Sequence, residues 1–181
     1  MSDILFASVK DAVRWSEEIA LIPDVSNCLS GLISKPSCGN MSRQEMIDIA
    51  LTISAITASC KPYCGQALKA VYSGRDDERD ETLGLVIASR LMKTPHGAQK
   101  DLHKLVLLGT STIVAMRSYE LYGKHYPKAR MASDVGVSRQ RFMSSLGWPI
   151  LRRLARDQLA VWMNQATNEI WNELRDRDWI A

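Results

Sequence analysis

Apolar residues recur along this chain at helical intervals, with charged and polar residues between them, over nearly its whole length. Leu5, Val9, Ala12, Val13 and Ile19 mark one face of the segment Asp3 to Ile19. That spacing predicts an amphipathic helix. Ser26 to Asn40 holds Pro36, glycine, asparagine and several serines, and reads as a loop with room for a short helical turn. Ser42-Arg43-Gln44-Glu45 is a capping box, in which the serine and glutamate side chains each satisfy a free backbone N–H. The helix it opens carries Met46, Ile49, Ala50, Ile53 and Thr57 at helical spacing.

Pro62 suits the first turn of a further helix that ends near Tyr72. Arg75 to Glu81 alternates in sign and reads as a solvated connector or an exposed helix start. Leu83 to Met92 predicts another helix, closed by Pro95-His96-Gly97. Gln99 to Gly123 is longer and more apolar, and Thr110, Ser111 and Thr112 leave room for a kink at its middle. Pro149 sets the first turn of a last helix reaching toward Trp179, with Leu151, Leu154, Trp162, Ala166, Ile170 and Leu174 on roughly one face. No alternating run of β-branched and aromatic residues suggests a sheet. The expected class is all-α, with no internal repeat.

Between the last two helices lies a different pattern. Ala132 to Phe142 has the layout of a helix-turn-helix, within a motif near residues 127–146. A first helix is expected to end at Val135, Gly136 to supply the positive φ of the turn, and Ser138 to cap a second, basic helix. Ala132 is small where the helices meet, and Met131, Val135, Val137 and Phe142 suit a small core between them. Ser145 falls where an apolar residue is usual, with Leu146 beside it, so an offset of one residue is open.

Charge sharpens this picture. Lys124 to Arg156 carries eight basic residues and one acid, Asp134, a local balance of +7 in a chain of net charge +3; the remainder is therefore −4. A basic block on a helix-turn-helix is the electrostatic footprint of a nucleic-acid face. Behind the Ser138 cap, Arg139, Gln140 and Ser144 are expected to face a major groove, with Arg141 on the same helix. Arginine pairs with guanine and glutamine with adenine through two hydrogen bonds each. Lys128, Arg130, Arg152 and Arg153 are expected to hold phosphates and set register. A natural division places a helical docking region at 1–123 and the DNA-binding region with its C-terminal helix at 124–181.

Other chemistry is sparse. Cys60 and Cys64 form a CxxxC, with Cys28 and Cys38 upstream; these spacings do not make paired zinc knuckles, and buried thiols are expected rather than a metal site. His96, His103 and His125 are scattered, and the acids Asp76, Asp77, Glu78, Asp80 and Glu81 read as a solvated connector rather than a magnesium site. There is no Gly-rich phosphate loop, nucleophile elbow or placeable Ser/His/Asp set, so neither catalysis nor a cofactor is expected. Trp162, Trp171 and Trp179 point to core packing or a partner contact, including a second copy of the chain. Neither a signal peptide nor a membrane span is read, and the expected compartment is the cytoplasm of a bacterial host cell.

The stretch Tyr119 to Leu159, YELYGKHYPKARMASDVGVSRQRFMSSLGWPILRRLARDQL, resembles the region-4-like helix-turn-helix of sigma factors. The whole arrangement is similar to phage late-gene antitermination proteins of the Q type. Members of that family often carry a Tyr-centred segment similar to Ala67 to Gly74, ALKAVYSG. Some carry a zinc-binding insertion with paired CxxC motifs, which this chain lacks. The resemblance implies binding of double-stranded DNA at a late promoter, loading onto RNA polymerase, and passage through terminators. Two alternatives stand beside it: a helix-turn-helix repressor or activator acting at an operator, and a helical interaction protein that binds no DNA.

Overall fold

The computed structural model describes residues 4–19, 41–73, 78–144 and 147–180. It is all-helical, with eight helices and no strand among the described residues. Among the described residues no helix is long and apolar enough to cross a membrane. The chain forms two compact units. One comprises residues 1–73 and 163–181, the other residues 74–162. The division after Gly123 read from the sequence falls inside the second unit. The segment Ser26 to Asn40 and the residues Ser145 and Leu146 lie outside the described residues.

In the first unit, α1 (Val9–Ile19), α2 (Arg43–Ser59) and α3 (Cys64–Tyr72) pack on one another. Helix α1 starts later than the apolar spacing predicts. Ser8 accepts from the Asp11 N–H at 3.2 Å and donates to the Asp11 carboxylate at 2.6 Å, which sets the helix start. The residues before it pair with the other end of the chain instead: Leu5 N and Phe6 N both donate to the Trp179 carbonyl at 3.0 Å. Phe6 is buried against Trp15, ring centres 5.4 Å apart.

Helix α2 begins with the capping box in full. Glu45 N donates to Ser42 Oγ at 3.3 Å, and Ser42 N donates to Glu45 Oε2 at 2.7 Å. Glu45 is accordingly held below the usual carboxylate range by the Ser42 backbone and side-chain bonds. Pro62 sits before α3 rather than in its first turn, because Tyr63 takes a left-handed conformation, φ 70°, and becomes the N-cap.

The second unit is built on α4 (Glu78–Leu91) and α5 (Leu102–Tyr122), the most extensively paired helices of the fold. Two glycines let their backbones touch. A Cβ on Gly109 would stand 2.8 Å from Gly84 Cα, and one on Gly84 would stand 3.1 Å from the Val106 carbonyl oxygen. Thr110 and Thr112 do not break α5; their hydroxyls donate to the carbonyls of Val106 and Leu108 at 3.1 and 2.7 Å. The helix is one 21-residue element.

Helix α4 begins within the charged run, five residues ahead of the predicted start. Asp80 there is not a solvated connector residue. It is 2% exposed and accepts from Arg117, 5% exposed, whose Nη2 lies 2.7 Å from each carboxylate oxygen. The sequence separation of 37 residues hid this partner.

Helices α6 (Lys128–Asp134) and α7 (Arg139–Ser144) complete the second unit with the first part of α8 (Trp148–Arg175), which continues into the first unit. Pro149 is in the first turn of α8, as predicted. The helix stops short of Trp179 because Asp178 turns left-handed, φ 58°, and Trp179 N reaches back to the Leu174 carbonyl at 2.9 Å. Aspartate tolerates that conformation better than most residues.

Candidate nucleic-acid interface

Local sequence explains the shape of the α6–α7 corner. Val135 closes α6, and its N–H donates to the Met131 carbonyl at 3.1 Å. Gly136 follows at φ +66° with open space where a Cβ would be. It needs glycine for its backbone conformation, not for room. Val137 N then donates to the Ala132 carbonyl at 2.9 Å, which folds the turn back on α6. Ser138 Oγ accepts from Arg141 N at 3.4 Å and caps α7.

The small core between the helices has the expected members. Met131, Ala132, Val135 and Phe142 are buried, while Val137 is half-buried. Phe142 also meets Trp148 of α8, ring centres 5.9 Å apart. The corner is therefore a packed unit and not a loop between helices.

Asp134, the one acid of the basic block, has a structural use. Tyr126 donates to it at 2.6 Å and Ser111 at 3.3 Å, so it ties α6 to the preceding loop and to α5. Partial burial, with the bond and the negative charge of Asp134, pushes the Tyr126 hydroxyl up to about 12.

The residues singled out from the sequence fall into two groups. Ser138, Arg139, Gln140, Arg141 and Ser144 are exposed on α7 and its cap, with no acid among them. Arg139 and Gln140 sit one and two residues behind the cap and are exposed. Ser144 is less suited to base reading than expected. Its hydroxyl donates to the Gln140 carbonyl at 2.5 Å, so only its acceptor side is open.

Lys128, Arg152 and Arg153 form the second group. They line one cavity of about 640 Å³, together with Arg156 and residues of α5 and the α5–α6 loop. Arg130 adjoins it through Tyr126, over whose ring its guanidinium lies at 5.3 Å. Arg152 is not an exposed surface cation. It is half-buried, its guanidinium lies 5.8 Å from the Phe142 ring, and its Nη1 is shielded from solvent with no hydrogen-bond partner. Arg153 is 79% exposed and pairs with Asp157 at 3.5 Å.

The sequence alone assigned no site role to the aromatic members of this cavity, Tyr119, Tyr126 and His125, the last of which read as one of three scattered histidines. Their signal is the recurrence of rings on both sides of the end of α5, from Tyr119 into the first residues of the basic block.

The remaining candidates separate cleanly. Cys64 is buried and its thiol donates to Gln165 at 3.3 Å. Burial, and then Glu169, pushes the Cys60 thiol up to about 11. Cys28 and Cys38 lie outside the described residues, as do Asp76 and Asp77. Among the described residues no group of three or more His, Cys, Asp or Glu side chains is arranged to hold a metal. Trp162 is buried under Arg90, 5.0 Å from its ring. Trp171 and Trp179 are half-buried and covered by Arg175 and Arg177 at 4.5 and 5.9 Å.

No family model, curated protein or solved structure matches this chain.

Proposed function

We propose that the chain is a sequence-specific DNA-binding protein that inserts α7 into a major groove, and that it acts as a transcription antiterminator through RNA polymerase. One observation carries the DNA-binding part: a capped, acid-free α7, set at a glycine turn on a packed corner, with Arg139 and Gln140 exposed behind the cap. A reading helix must be held rigidly by a core on one side and leave polar side chains free on the other. The corner meets both needs.

The antitermination part rests on the resemblance to Q-type proteins. An exposed apolar stripe supports a partner contact as well. Ile150, Leu154 and Val161 of α8 are 39, 37 and 49% exposed and share one stripe of that helix. An apolar stripe of this kind suits a protein contact, with polymerase or with a second copy of the chain.

The test has two stages. Selection from a random duplex library gives the preferred site, and titration at fixed salt then compares wild type with Arg139→Ala. The expected loss is about 1–3 kcal/mol at the preferred site, with relaxed base preference. Unchanged affinity and preference would remove α7 as the reader. Transcription with purified polymerase on a template bearing that site and a terminator follows. Read-through that needs both protein and site supports antitermination; promoter shut-off without read-through supports an operator-bound repressor.

A further inference from the structure

The cavity beside the helix-turn-helix combines features that DNA reading by α7 does not use. Its basic side is Lys128, Arg152, Arg153 and Arg156, and among the described residues Glu120 is the one acid on its wall. Its aromatic side is Tyr119 and His125, whose rings stand 5.5 Å apart and 31° from parallel. Met116 and Met131 contribute apolar surface. At about 640 Å³ it falls within the range of roughly 300–1,000 Å³ usual for small-ligand sites.

The two sides ask for two kinds of group on one ligand. Four cations against one acid call for more than a single negative charge, and arginine forks match phosphate oxygens. Arg153 and Arg156 already share Asp157, at 3.5 and 3.4 Å, so neither is the strongest anchor. Arg152 is. Its shielded Nη1 lacks a hydrogen-bond acceptor, and a buried donor of that kind gains most from a charged oxygen. An exposed tyrosine, Tyr119 at 55%, beside an imidazole offers a stacking face for a planar ring.

We propose that this cavity binds a nucleoside phosphate, with the phosphates on Arg152, Arg156 and Lys128 and the base against Tyr119 and His125. Side chains and not a glycine loop make the phosphate contacts. The same chemistry is offered by a free nucleotide and by one nucleotide unit of a single strand. The site stands apart from Arg139 and Gln140, which do not line it.

Calorimetric titration of the full chain tests this with five probes: ATP, GTP, CTP, UTP and a ten-residue oligothymidine. Tripolyphosphate and the unphosphorylated nucleosides serve as controls. Saturable binding at one nucleotide per chain is expected, at least tenfold tighter than tripolyphosphate. Tyr119→Ala and Arg156→Ala should each weaken it about tenfold or more. Both side chains are more than half exposed, so folding should survive, and circular dichroism checks that it does. Arg139→Ala should leave nucleotide binding unchanged even if duplex binding is lost or was never present, which separates this site from the DNA reading. Tighter binding of a mononucleotide than of the oligothymidine identifies a free ligand; the reverse order identifies a single strand. Binding by none of the five, binding equalled by tripolyphosphate, or binding indifferent to both Tyr119→Ala and Arg156→Ala would overturn the proposal.

Discussion

Asp80→Ala is the most informative single perturbation of the second unit. It removes the carboxylate and leaves the Arg117 guanidinium, 5% exposed, in the space between α4 and α5. Desolvating a cation is costly unless an anion stands beside it, and one Arg117 nitrogen now lies 2.7 Å from both Asp80 oxygens. Breaking a buried pair from one side typically costs about 3–5 kcal/mol, a large share of the roughly 5–15 kcal/mol that stabilises most domains. The pair replaced as a whole behaves differently. Asp80→Leu with Arg117→Met removes both desolvation terms, and such swaps range from neutral to about 1–4 kcal/mol stabilising. Urea unfolding followed by circular dichroism reads both variants through their midpoints at unchanged slope. Hydrogen exchange in α4 and α5 assigns the loss to the second unit. The expected order is wild type and double variant close together, with Asp80→Ala well below. A single variant within 1 kcal/mol of wild type, or a double variant as damaged as the single, would refute the reasoning.

Two further outcomes follow from local geometry. Ser42→Ala should cost about 0.5–2 kcal/mol by removing the α2 cap. Because Glu45 is held below its ordinary value of 4.5, its contribution is present above that pH and lost as pH falls through the lowered value; the variant should show a weaker acid dependence in thermal melts. Tyr126→Phe removes the 2.6 Å bond to Asp134 and should destabilise the corner by about 1 kcal/mol. The Tyr126 hydroxyl is raised from 10 to about 12, so the folded state holds the proton more tightly. Its contribution is full below pH 10 and is lost between about pH 10 and 12, and the phenylalanine variant should lack that part of the alkaline loss.

What the sequence made legible was local. The Ser42 box, the Gly136 turn, the Ser138 cap and the Pro149 helix start each need residues within a few positions of one another, and each formed as read. Helix boundaries failed where a distant or conformational partner intervened. The segment Leu5 to Phe6 carries helical spacing but gives its N–H groups to the Trp179 carbonyl, on the far end of the chain. The Gly84–Gly109 approach was likewise invisible, since a glycine in a helical run weakens the helix locally and its packing value appears only when a second helix presses on it.

The basic block shows the same limit in the reading of the candidate site. Its charge total was plain, but charge alone does not say how many surfaces it serves. Arg139 and Gln140 stand exposed on a capped helix, while Arg152 is half-buried against Phe142 and turned with Lys128 and Arg156 to a cavity edged by Tyr119 and His125. A helix-turn-helix needs phosphate contacts that flank its reading helix, and these do not require an aromatic wall. The partition therefore argues that Arg139 and Arg152 belong to different tasks. Alanine at Arg139 and at Arg156 is the pair that separates them: each should weaken one binding reaction and leave the other unchanged, whereas on a single continuous phosphate track each would weaken both.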